Sequence, residues 1–173
     1  MSVPFTSGFL DWISLLRYEV EATGDSWTVT DHGETTYHVR LDDAEYVLTE
    51  TPMYFKEHFL MAAKEVVDCE RYLTWLMGAS IRDLQGLRFI YSARKPEDIN
   101  PGWSVSKSGR AWILWDATGN QRCTFNGDRA IMFSWIADAQ LEDLRASYLD
   151  PDGLPLFPGC WIGPKRVALD QAG

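Results

Sequence analysis

An α+β fold, an antiparallel sheet of short strands packed against at least three helices, is what this sequence predicts, and three observations carry the expectation. Apolar residues recur at helical spacing near the N-terminus, over 64–77 and over 141–149. Short runs of strand formers, separated by polar turns, fill residues 27–49. Residues 101–116, PGWSVSKSGRAWILWD, place two tryptophan-bearing runs on either side of a small basic turn and read as a β-hairpin.

Taken in order, Phe9, Trp12, Ile13, Leu16 and Val20 predict a first helix over 9–20, with Thr6 or Ser7 as its cap and Asp11 in the first turn. It is expected to stop near Thr23-Gly24-Asp25. Trp27–Val29, Thr36–Val39 and Tyr46–Thr49 follow as strands of an antiparallel meander, with turns at 31–34 and at Asp42-Asp43. The run 53–63 fits either the start of a long helix or one more strand. Lys64–Met77 is the clearest helix, with Val66, Cys69, Leu73 and Leu76 on one stripe and Glu65, Asp68 and Arg71 mostly off it; Gly78 reads as a stop or a kink. Leu87–Tyr91 reads as a strand and 95–102 as a proline-broken loop.

Beyond the hairpin, Gln121–Phe125 is a strand between two turns, and Ala130–Ile136 is open between helix and strand. Asp138 is expected to cap a last helix whose stripe is Leu141, Leu144, Tyr148 and Leu149, ended by a type I turn at Asp150-Pro151-Asp152-Gly153. From about residue 158 an extended tail follows, with Trp161 and Ile162 docking on the body. With 173 residues, the chain is expected to form a single domain.

The formal charge of −9 opposes binding to nucleic acid or to an anionic membrane, and suits either solubility or a basic partner. Cys69, Cys123 and Cys160 lie far apart without metal-binding spacing and read as free thiols, which places the protein in the reducing cytoplasm. No basic leader segment precedes an apolar run at the N-terminus, and no stretch approaches the roughly 18 apolar residues of a membrane span. No cofactor motif occurs. His32, His38 and His58 neighbour no nucleophile elbow and lack zinc spacing, so they read as ordinary histidines. The carboxylates Asp42, Asp43, Glu45 and Glu50 read as a solvated face, and Pro151 spoils the calcium-loop look of 150–153. These absences favour a binding protein over an enzyme. An enzyme would need a deep pocket holding His32 or His58 beside carboxylates.

The hairpin tip is the candidate binding element. Lys107 and Arg110 stand in a Ser106-Lys107-Ser108-Gly109-Arg110 turn, in an acidic chain, with no carboxylate between Ile99 and Asp116. A narrow Gly/Ser tip can enter another protein's cleft, where the two cations suit carboxylates or a phosphate-binding site. The alternative is a solvated connection without a role.

Two stretches carry a family resemblance. Glu70-Arg71-Tyr72-Leu73, with Leu76-Met77-Gly78, Ile81-Arg82 and Gly86-Leu87, and then Leu141-Glu142-Asp143-Leu144 leading to Ser147–Phe157, together resemble the immunity protein 61 family. The resemblance implies a cytoplasmic antitoxin, without a cofactor, that binds a cognate toxin one to one, the toxin being an NAD glycohydrolase. Both motifs look structural and transfer no catalytic residue. For an antitoxin, residues 106–110 are expected to plug the toxin's substrate cleft, braced by Trp103 and Trp112. The rival from another class is an acidic secretion chaperone, which would hold an unfolded effector segment instead.

Overall fold

The computed structural model describes residues 5–31, 33 and 35–164. Expectations concerning His32, Glu34, the first four residues and the tail beyond Pro164 lie outside these residues. Helix α1 (Ser7–Ser14) is capped by Thr6, whose Oγ1 accepts from Phe9 N at 3.2 Å. The expected helix to Val20 is too long. Arg17 adopts φ 63° and turns the chain, so Val20 belongs to strand β1 (Glu19–Thr23). Asp11 is the fifth helical residue, beyond the first turn. Strand β1 escaped the sequence because Glu-Val-Glu-Ala-Thr is a mostly exposed edge with little apolar signal.

Strands β2 (Ser26–Thr30), β3 (Thr35–Asp42), β4 (Glu45–Pro52) and β5 (His58–Ala63) continue the meander, which resolves 53–63 as a loop and a strand. Helix α2 (Val66–Leu84) runs about two turns past its expected end and leaves through Gly86 in a Schellman arrangement, Leu87 N–H on Arg82 O at 2.8 Å and Gly86 N–H on Asp83 O at 3.0 Å. The strand expected over 87–91 shrinks to β6 (Tyr91–Ser92). The 95–102 loop contains a single 3-10 turn at Pro96–Asp98. The hairpin is β7 (Ser104–Ser108) and β8 (Ala111–Trp115), followed by β9 (Gln121–Asn126). Asp116 organises the β8–β9 turn: its Oδ1 accepts from Thr118 Oγ1, Thr118 N and Asn120 N, which holds its carboxyl below the usual range.

Residues 130–136 turn out helical in part, as α3 (Arg129–Phe133). The last helix, α4 (Leu141–Leu149), has Gln140 rather than Asp138 at its N-cap position, without a side-chain cap bond, because the backbone is still extended at residue 140; Leu149 is exposed rather than part of the buried stripe. Strand β10 (Trp161–Ile162) pairs in parallel with β6, so the tail does dock through Ile162.

The main sheet has the order β1-β2-β3-β4-β5-β9-β8-β7 and is antiparallel throughout. One row crosses seven strands in register: Trp27, Val39, Leu48, Met61, Phe125, Trp112, Lys107. Its first five members are buried, and with Tyr72 and Leu73 of α2 and Phe133 of α3 they form the core. Cys69, Cys123 and Cys160 are buried and free, and burial pushes the Cys69 and Cys123 thiols up.

Asp68, expected off the apolar stripe of α2, is buried, and so is Glu70. Asp68 is met by Arg71 Nη1 at 2.8 Å and Arg122 Nε at 2.7 Å. Glu70 accepts from Thr6 Oγ1 at 2.6 Å, Thr6 N at 2.9 Å and Arg145 Nη1 at 3.1 Å, tying the N-terminus and α4 to α2. Buried charge persists here because each carboxylate is fully engaged.

Gly78 does not break α2; it admits α4. A Cβ there would lie 2.6 Å from Tyr148 Cζ and closer to two other ring atoms. Gly78→Ala should therefore lower stability by about 2 kcal/mol despite better helix propensity, because the Tyr148 ring is enclosed. Urea unfolding measures it, and a Gly78→Ala/Tyr148→Leu double variant should recover part of the loss.

Candidate partner-binding site

Residues 106–110 form the outermost hairpin of the sheet. Ser108 pairs with Ala111, so Gly109 and Arg110 make a two-residue turn. Gly109 has φ 61° and Arg110 does not share the positive angle, the pattern of a type II′ turn, whose first position favours glycine. Space around Gly109 is open: a Cβ there would meet nothing within 4 Å.

Each expected site residue has a defined place. Lys107 ends the long core row, and its Nζ lies 4.2 Å from the centroid of the Trp112 ring, a cation–π contact that aims the ammonium along the tip. Trp112 and Trp103 are both half-buried and packed against the core. Ser106 points to the other sheet face, where its Oγ accepts from Trp115 Nε1 at 2.9 Å. Ser108, Gly109 and Arg110 are exposed. Among the described residues, neither Lys107 nor Arg110 pairs with a carboxylate. The tip is thus a stiff two-stranded arm with two unneutralised cations.

Other chemistry considered from the sequence does not assemble. His38 stands between Thr28 Oγ1 (3.4 Å) and Thr51 Oγ1 (3.3 Å) on the open sheet face, and His58 is exposed at the start of β5. Asp42, Asp43 and Glu45 meet at the solvent-facing β3–β4 turn, where Asp42 pairs with Glu45 and none of the three is buried, while Glu50 stands further along β4 opposite Tyr37. Among the described residues no group of three or more His, Cys, Asp and Glu side chains is placed to hold a metal. A groove lined by Trp135, Leu156, Phe157 and Trp161 is apolar and carries no titratable side chain.

Sequence periodicity left one exposed feature unmarked. Met53, Tyr54 and Phe55, in the run left open between helix and strand, stand in the β4–β5 loop, open to solvent. Pro52, which ends β4, was the available signal. The loop is anchored by Glu57, which receives Arg40 Nη1 at 2.7 Å and Thr49 Oγ1 at 2.5 Å. The Thr49 and Arg40 hydrogen bonds hold its carboxyl below the usual range. A depressed folded value means that the contribution is present above the unfolded pKa and lost as pH falls through the folded one. Glu57→Gln should cost under about 1 kcal/mol at neutral pH, since the pair is half-exposed, and the melting temperatures of the two proteins should converge below about pH 4.

The two motif stretches meet in space. Arg82, fully buried, donates to the carbonyls of Ser147 (3.2 Å), Tyr148 (3.1 Å), Asp150 (2.7 Å), Pro151 (3.1 Å) and Arg88. It caps the C-terminus of α4, where carbonyls lack partners and the helix dipole favours a cation. Together with Glu70–Arg145 and Gly78–Tyr148, this makes α2 and α4 one unit.

The Immunity protein 61 family profile matches residues 12–156, a span that includes the first motif stretch, the tip and all of the second stretch but its last residue, Phe157. This chain belongs to the Immunity protein 61 family. Two curated relatives, an "Immunity factor for TNT" from Mycobacterium tuberculosis and its homolog from Mycobacterium bovis, are each 27% identical over 166 residues, covering 91% of this chain and 94% of theirs. The solved structure of Rv3902c from M. tuberculosis superposes with a TM-score of 0.81 at 25% identity, over 91% of this chain and 96% of that one. The similarity therefore extends over the sheet, α2, α4 and the hairpin of this Immunity protein 61 member.

Proposed function

We propose that this protein is an antitoxin that binds a cognate toxin domain one to one and inhibits it by placing the 106–110 tip in the toxin's substrate cleft. Family membership and the names of the curated relatives support the antitoxin role. The single observation that carries the cleft model is the tip itself: a rigid, narrow arm with Lys107 stacked on Trp112 and Arg110 unpaired, in a chain of net charge −9. An NAD-hydrolysing toxin fits this arm, because a site built for a dinucleotide phosphate group and its acidic catalytic surroundings offers acceptors to both cations. The protein acts in the cytoplasm as a stoichiometric inhibitor and performs no reaction.

The test is titration of a purified cognate NAD-hydrolysing toxin domain with this protein, with NAD hydrolysis as the readout. Activity should fall linearly to zero at one equivalent. Hydrolysis that continues in the presence of bound protein would exclude occlusion and favour a chaperone, which holds its client without inhibiting the folded domain.

A further inference from the structure

Five tip residues make a small interface. A stable protein–protein interface buries about 800 Å² per partner over some 20–30 residues, so residues 106–110 account for only about 200 Å² of it. A partner that grips the tip must cover more of this chain, and strand register says what lies beside the tip. Met61 pairs with Phe125 and Phe125 with Trp112, so the β4–β5 loop, the end of β9 and the β7–β8 tip share one rim of the sheet. At about 4.8 Å per strand, the loop lies roughly 12–14 Å from the tip.

On that loop Met53, Tyr54 and Phe55 are 46%, 91% and 70% exposed. Tyr54 also has φ 69°, a left-handed backbone that costs a non-glycine residue about 1–2 kcal/mol. Glycine would make the same turn without strain, and the tyrosine ring gains no packing within the chain in return. Three adjacent exposed apolar side chains with an aromatic pair are the composition of an interface anchor. Glu57 is tied to Arg40, so Lys56 is the exposed charge of the loop, of the same sign as Lys107 and Arg110.

We propose that Met53, Tyr54 and Phe55 form a second anchor for the same toxin, with the Tyr54 ring entering an apolar pocket on the acidic border of the cleft that takes the tip. This rests on the antitoxin reading. Continuity of the rim, rather than the apolar exposure alone, makes the toxin the occupant.

Calorimetric titration of the cognate toxin domain with wild type, Tyr54→Gly/Phe55→Ser and Lys107→Ala/Arg110→Ala tests it, together with hydrogen exchange of the wild-type complex. The loop variant should bind about thirtyfold more weakly with an unchanged or raised melting temperature, and exchange should slow over 52–57 as well as 106–110. Affinity within twofold of wild type and unprotected 52–57, with the tip variant impaired, would overturn this inference and leave the antitoxin reading standing. Failure of wild type to bind would overturn both. A Tyr54-dependent dimer of the free protein in sedimentation would assign the patch to a second copy instead, and should the loop variant misfold, the wild-type exchange pattern alone decides.

Discussion

Arg82→Ala is expected to lower stability by at least about 4 kcal/mol, a large share of the roughly 5–15 kcal/mol that holds a domain folded. The guanidinium is the shared donor for carbonyls from Arg88, Ser147, Tyr148, Asp150 and Pro151, and all of them lose it at once. The guanidinium is fully buried, so the variant strands several acceptors in the interior and removes the cap of α4. Arg82→Lys should fall between, because a single ammonium cannot span the same fan of acceptors. Urea unfolding with the far-ultraviolet signal gives both values. A loss below about 1 kcal/mol for the alanine variant would mean that the α4 C-terminus finds other partners, and that α2 and α4 are coupled by packing at Gly78 rather than by this arginine.

For the tip, Lys107→Ala/Arg110→Ala is expected to weaken toxin binding by about a hundredfold, or about 3 kcal/mol, without shifting the melting temperature. Both side chains are exposed and, among the described residues, neither pairs with a carboxylate, so their removal leaves the fold intact while a desolvated cleft would lose two charge-assisted contacts. Lys107→Met separates charge from packing: it keeps an aliphatic chain over Trp112 and removes the ammonium. If the charge carries the effect, this single variant should lose about tenfold, and the salt dependence of association should flatten. Full inhibition by the double variant would end the plug model.

Much of the architecture was legible from local pattern. The helices at 7–14, 66–84 and 141–149, the meander and the 104–115 hairpin each advertise themselves through periodicity or turn chemistry within a short window. Boundaries failed where a long-range contact overrode the local signal. Gly78 reads as a stop, yet α2 continues because the glycine makes room for Tyr148, seventy residues away in sequence. Asp68 reads as lying off the apolar stripe, yet it and Glu70 are buried, where arginines from β9 and α4 neutralise them. Edge strand β1, too polar to announce itself, takes its conformation from its neighbour β2.

The candidate site divides in the same way. Composition alone singled out Lys107, Gly109 and Arg110, since two cations on a Gly/Ser turn in an acidic chain are visible without any fold. That Lys107 continues a core row from Trp27 to Trp112, and so stands on a rigid base, depends on the register of seven strands. That Tyr54 and Phe55 face solvent on the same rim depends on which ends of those strands coincide. Side-chain chemistry and short-range periodicity are properties of the chain, whereas burial and neighbourhood are properties of packing between segments far apart along it. The sequence by itself therefore determined the α+β class and the basic tip; the tertiary structure decided how firmly the tip is held and which residues stand beside it.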